Sequence, residues 1–186
     1  LKKGWKEAEE RIVRLPDLPA NSATAFEDFH SFLYTGKVYS GVEGDEDQRN
    51  RDKEWCHLGN CWILGEVLLS VSFKDVVVDA ILEKTASTNR HPVKACVEIH
   101  HYGTCDRPIK RLMVEIVVQY WSEQLIQTEF SADSDTKASF YRSVSIALLK
   151  EKRQPAMALK AKNPITEEGS CFYHEHGDKP CYKAMF

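Results

Sequence analysis

Thr24 to Tyr39 reads TAFEDFHSFLYTGKVY, and the rest of the chain takes its interpretation from this unit. Thr24 and Glu27 stand three apart, the spacing at which two side chains cap each other's exposed backbone N–H at a helix start. Phe26, Phe29, Phe32 and Leu33 recur at helical intervals, which predicts a short amphipathic helix with an aromatic stripe turned to the core. Gly36 is placed to end it, because only glycine enters the left-handed cap conformation without steric cost. Lys37-Val38-Tyr39 then alternates like a short strand. Nothing in the unit carries chemistry; it is a packing device.

Working outward, 186 residues make one domain, or one domain with a small appendage. Apolar residues are 42% of the chain, enough for a core, yet no apolar run approaches the roughly 20 residues of a membrane span. A net charge of −3 with mixed signs argues against nucleic acid or an anionic membrane as partner. The chain opens at Leu1 with a helical-looking charged segment already under way and no apolar leader, so part of its N-terminal side is expected to be missing. Six cysteines, most beside apolar helical patterns, read as small hydrophobes in a reducing, intracellular compartment (cytoplasm or nucleus) rather than as a disulfide framework.

Arg11–Leu15 is a strand candidate closed by the prolines of LPDLP at 15–19. GVEGDEDQRNRDKE at 41–54 is a solvated loop; its acidic run lacks the ligand spacing of a calcium loop. Helices follow. Leu58, Cys61, Trp62, Gly65, Leu68 and Leu69 share a face, and Gly65 would admit a close neighbour. Ser72 and Asp75 form a second capping pair, before Phe73, Val76, Val77, Ala80 and Ile81. VKACVEIHHYG at 93–103 fits helix and strand equally by spacing, and its helical neighbours favour helix. Asp106 caps a helix with Pro108 in its first turn and Ile109, Leu112, Met113, Ile116, Val117 and Tyr120 inward. Thr128–Thr136 is a linker; Phe140, Val144 and Leu148 mark a last helix, and periodicity ends at Gln154. The expected fold class is α+β, predominantly helical, with one or two short strands. Expected regions are 1–121, a helical extension at 122–153 and an irregular tail at 154–186.

FLYTGKVY at 32–39, preceded by LPDLP and followed by WILGEVLLSVSFKDVVVDAI at 62–81, resembles the middle of a BTB/POZ domain. GWKEAEERIVRLP at 4–16 looks like the end of that fold's second helix and its third strand. PIKRLMVEIVVQYW at 108–121 is similar to fungal BTB/POZ proteins. The resemblance spans about residues 4–121 and implies a partial BTB/POZ-like helical core that lacks the first half of the fold. It also implies a non-enzymatic protein-interaction module, a dimerising scaffold or an adaptor to a cullin-3 ubiquitin ligase. The absent first half supplies most of the family's dimer interface, so self-association of this chain is an open expectation. The family's cullin-facing surface maps to Asp28, Phe29, His30 and, through the following loop, Tyr39.

The tail carries Cys171, His174, His176 and Cys181 in the order C-x2-H-x-H-x4-C. Two thiols and two imidazoles are the donor set of a structural zinc site. His174 and His176, one residue apart, would need an extended strand to point the same way. A Cys171–Cys181 disulfide, or two incidental cysteines, are the other readings of the same residues. A small zinc-binding protein is therefore the alternative function. His57 beside Cys56, and His100-His101 near Cys105, suggest nucleophilic dyads only by adjacency, and adjacent helical residues diverge. Trp55, Trp62 and Trp121 read as core. No paired carboxylates, nucleophile elbow or phosphate loop points to an enzyme.

Overall fold

The computed structural model describes residues 18, 22–39, 48–88, 92–102, 107–130, 138–153 and 167–186. Among them are seven α-helices: α1 Ser22–Thr35, α2 Gln48–Val67, α3 Val71–Thr88, α4 Val93–Tyr102, α5 Pro108–Tyr120, α6 Glu123–Phe130 and α7 Ala138–Arg153. Two 3-10 turns follow at Glu167–Tyr173 and Tyr182–Ala184. The architecture is predominantly helical, with no strand among the described residues. Lys37–Tyr39 leaves α1 as irregular chain, and Arg11–Leu15 lies outside the described residues, as do Asp106 and the loop at 41–47.

α2 is the hub, packing against α1, α3 and α4, while α5 and α7 close the far side. Leu58, Trp62, Phe73, Ile81, Ile99 and Phe140 are fully buried at these junctions. Removing apolar side chains of this size from water is the main favourable term, about 1.5–3 kcal/mol each. Trp55, Trp62 and Trp121 are buried as expected. Gly65 is the close-approach point, since a Cβ there would meet Lys74 Cγ at 2.7 Å.

α2 and α3 are joined by a two-bond cap. Ser70 N–H reaches Gly65 O at 2.9 Å and Leu69 N–H reaches Glu66 O at 3.2 Å. Leu69 holds the left-handed conformation that glycine usually supplies, at φ 53°. It is therefore 82% exposed rather than on the buried face of α2. Gly36 caps α1 as expected, with φ 68° and its N–H on Phe32 O at 2.8 Å. The Phe186 ring lies over it, so a Cβ at position 36 would collide with that ring.

Several local expectations fail for identifiable reasons. α1 starts at Ser22, so Thr24 and Glu27 lie inside the helix and form no capping box. Of the proposed stripe Phe32 is buried and Phe29 half-buried, but Ala25 and Asp28 complete the inward face and Phe26 and Leu33 are exposed. Tertiary contact with α2 chose that face. α2 begins at Gln48, so the charged residues 48–54 are helical; pairing such as Lys84 with Glu54 holds them. α3 begins at Val71, and Asp75 turns from capping to a tertiary bond described below. α5 has Arg107, without a side-chain cap bond, at its N-cap and Pro108 in the first turn. α6 replaces the start of the proposed linker, and Leu148 on α7 is 41% exposed.

Candidate metal centre

The helices position the tail. The 3-10 turn Glu167–Tyr173 packs on α3 and α5, and Tyr182–Ala184 returns to α3. Arg111 of α5 lies over the Phe172 ring at 3.7 Å and donates to Phe172 O at 2.9 Å. The Tyr173 hydroxyl donates to Glu115. On α3, Asp75 accepts the Glu175 backbone N–H at 2.6 Å. Glu175 also meets Lys74, and Arg107 at 3.2 Å; both cations bind Glu66 as well, at 2.7 Å and 2.6 Å. Glu175 is thus pinned between the two histidines of the motif.

Held this way, Cys171, His174, His176 and Cys181 bring one donor atom each within 4.8 Å of all the others. No ladder strand is needed: the turn that ends at Tyr173 and an irregular segment orient both rings, whose centroids are 5.4 Å apart. Cys171 and Cys181 are thiols rather than a disulfide. His174, with a side chain 0% exposed, donates from Nε2 to Asp79 Oδ1 at 3.1 Å, which leaves the Nδ1 lone pair facing Cys181 Sγ at 3.6 Å. His176 donates from Nδ1 to Gly177 O at 2.8 Å, and its Nε2 is buried without a hydrogen-bond partner. Each ring therefore has its second nitrogen tied and its first free, the arrangement of metal-ligating histidines.

Burial by itself would raise the Asp79 carboxyl, but donors from His174, Tyr182 (2.6 Å) and Lys183 (3.0 Å) hold it down at about 2. Burial and the hydrogen bond to Asp79 push the Tyr182 hydroxyl up. Burial and the neighbouring Cys181 sulfur raise the Cys171 thiol. An acid fixed as carboxylate behind His174 sets that ring's tautomer and orientation.

The other proposed positions are scattered. Asp28 is buried against α2, not presented to a partner; its Oδ2 meets His57 Nε2 at 2.5 Å. Phe29 is half-buried on Phe73, whereas His30 and Tyr39 are exposed. His57 does not pair with Cys56 but with Asp28 and Cys61, whose sulfur is 3.6 Å from Nε2. Burial first, then Asp28, push the Cys61 thiol up, the opposite of an activated nucleophile.

No family profile, curated protein or solved structure matches this chain. The site rests on its own donors.

Sequence reasoning found those four donors and missed the partners that hold them. Asp75 and Asp79 carried a readable signal: two acids four apart among Phe73, Val76, Val77, Ala80 and Ile81 on one helix. Nothing local pointed to Glu66 or Arg107.

His100 illustrates a histidine with a purely structural place. It is buried, packs at a tilt against the Phe140 ring with centroids 5.0 Å apart, and its Nε2 has no hydrogen-bond partner. Burial, aided by Lys110, lowers its pKa from 6.5 to about 4. Between those values the unfolded chain takes up a proton that the folded chain refuses. Stability is therefore full above pH 6.5 and falls as pH drops toward 4. Denaturant unfolding should show a loss of about 2 kcal/mol between pH 7 and pH 5, absent in His100→Phe. Equal losses in both chains would remove His100 as the cause.

Proposed function

We propose that this chain is a non-enzymatic protein-interaction module of the BTB/POZ type, its C-terminal segment folded onto the helical body by one structural zinc ion. The observation that carries the zinc is the closed set of two thiols and two imidazoles, with Asp79 behind His174 and an unpartnered His176 Nε2. Four protein donors fill a tetrahedron and leave no position for substrate, which favours a structural role. For the interaction role, support comes from α1 and its exit, where Phe26, Leu33, Tyr34 and Tyr39 are 43%, 55%, 76% and 62% exposed. Clustered exposed aromatics suit a protein partner. His30 belongs to the same outward surface, while Asp28 does not. The order LPDLP, FLYTG, WILGE and F-x-D resembles the BTB/POZ class, and that resemblance supports self-association or cullin-3 as the partners to test. Thiols at Cys61, Cys96, Cys171 and Cys181 suit a reducing, intracellular compartment. No helix among the described residues is long and apolar enough to cross a membrane.

The test is binding of the zinc-loaded chain to purified cullin-3 and to itself, read by light scattering and titration calorimetry. Binding that falls at least about tenfold in Tyr34→Ser and His30→Ala, with helicity and zinc content kept, is the expected result; tenfold corresponds to about 1.4 kcal/mol. A chain that stays monomeric and ignores cullin-3 would sink the BTB-type reading, leaving the zinc-binding protein as the alternative.

A further inference from the structure

A second donor cluster lies between α1 and α2, sharing no residue with the tail. We propose that Asp28, His57 and Cys61 bind a second divalent cation, of the zinc class. Their donor atoms converge: Cys61 Sγ is 3.6 Å from His57 Nε2 and 3.8 Å from Asp28 Oδ2. A tetrahedral zinc with ordinary Zn–S and Zn–N bonds of about 2.3 and 2.0–2.1 Å has an S···N edge of about 3.6 Å, so the sulfur already stands at ligand spacing. The His57–Asp28 edge is shorter, 2.5 Å, the separation of a direct hydrogen bond between ring and carboxylate. A cation would displace the proton of that hydrogen bond and the Cys61 thiol proton, both released to solvent, and open the edge to about 3.3 Å, within reach of a small rotation of the Asp28 side chain.

Three features make this a ligand set and not a buried ion pair with a bystander thiol. The donors are of three kinds, carboxylate, imidazole and thiol, all accepted by zinc. Cys61 is 0% exposed and Asp28 9% exposed, so both sit where an uncompensated carboxylate is costly and a cation is welcome. The far ring nitrogen of His57 meets the Thr24 hydroxyl at 3.3 Å. A hydroxyl can accept as readily as donate, so Thr24 can accept from Nδ1–H when the Nε2 lone pair is turned to a metal. Helix geometry explains the convergence. His57 and Cys61 are one turn apart on α2, and Asp28 faces them from the inward side of α1. Three protein donors leave a fourth position, filled by water or by a donor from a partner, and His57 is the member nearest solvent, with a side chain 21% exposed. The cation would tie α1 directly to α2.

The test is metal content of the full chain after zinc loading and dialysis, with cobalt(II) as the spectroscopic stand-in. The expected content is two equivalents, dropping to one in Asp28→Asn and in Cys61→Ser, with far-UV circular dichroism unchanged. Cys171→Ser/Cys181→Ser should keep one equivalent and a thiolate-to-cobalt charge-transfer band, which adding Cys61→Ser abolishes. Metal content unaffected by both Asp28→Asn and Cys61→Ser overturns the proposal, even if the tail variant cannot be purified. A wild-type chain with one equivalent, lost in Cys61→Ser and kept in Cys171→Ser/Cys181→Ser, would support this site while removing zinc from the tail.

Discussion

In zinc-containing buffer, the Cys171→Ser/Cys181→Ser chain is expected to unfold about 10 °C below the wild-type chain. A ligand that binds only the folded state at a thousand times its dissociation constant adds about 4 kcal/mol. For a chain of this size each kcal/mol moves the midpoint by roughly 2–4 °C. The gap should close when both chains are treated with a strong chelator, because both then lack the tail zinc. The loss should be local first. The bonds that seat the tail on α3, Glu175 N–H to Asp75 and His174 to Asp79, depend on the same turn that gathers the donors. Amide exchange in residues 170–182 should therefore accelerate more than in α2. A thermal scan and an exchange map check the two statements. Equal midpoints with and without the cysteines would remove zinc from the tail's folding.

The second large effect is expected at Lys74. Its side chain is 3% exposed and lies between the carboxylates of Glu66 and Glu175, themselves 15% and 7% exposed. Burial by itself would raise the Glu66 carboxyl, but Lys74 and Arg107 outweigh it and hold it below the usual range. Lys74→Met removes the buried cation shared by these two acids and leaves Arg107 bridging them. Breaking a buried pair from one side costs about 3–5 kcal/mol. Because Arg107 still bridges both acids, the lower end, about 3 kcal/mol, is expected by denaturant unfolding. Glu66→Gln and Glu175→Gln added to Lys74→Met should recover most of it, since the uncompensated charge is then gone. A loss within about 0.5 kcal/mol, the usual range for surface changes, would show that the network carries no net stability. Zinc affinity should fall in Lys74→Met as well, because Glu175 sits between two ligands.

Reading these effects back to the chain separates what was local from what was not. Helix-period spacing placed α3, α5 and α7, because a run such as Ile109, Leu112, Met113, Ile116 and Val117 has one way to bury itself, while α4 fitted helix and strand equally and was read as helix only from its neighbours. Gly36 announced its own cap, because no other residue takes that conformation freely. Leu69 in the same kind of cap was unreadable, since a leucine there is tolerated only when the two flanking elements demand it. Part of the inward face of α1 also escaped, because Phe26 and Phe29 are alike in sequence and only the packing of Phe29 on Phe73 of α3 distinguishes them.

The metal centre divides along the same line. Residue type and spacing by themselves named the candidate donors Cys171, His174, His176 and Cys181, beside the readings of a disulfide or incidental cysteines, because thiols and imidazoles so close in the chain can reach one ion with little loop-closure cost. Only the tertiary structure decided that they converge, which ring nitrogen each histidine keeps free, and that Asp75, Asp79, Lys74 and Arg107 hold the segment. Those partners lie about 60 to 100 positions away. Contacts at such separation are set by the packing of α3 and α5, a property of the folded helices together and of no local stretch of sequence. The cluster of Asp28, His57 and Cys61 is the extreme case: α1 supplies one donor and α2 two, and no spacing in the sequence announces their meeting.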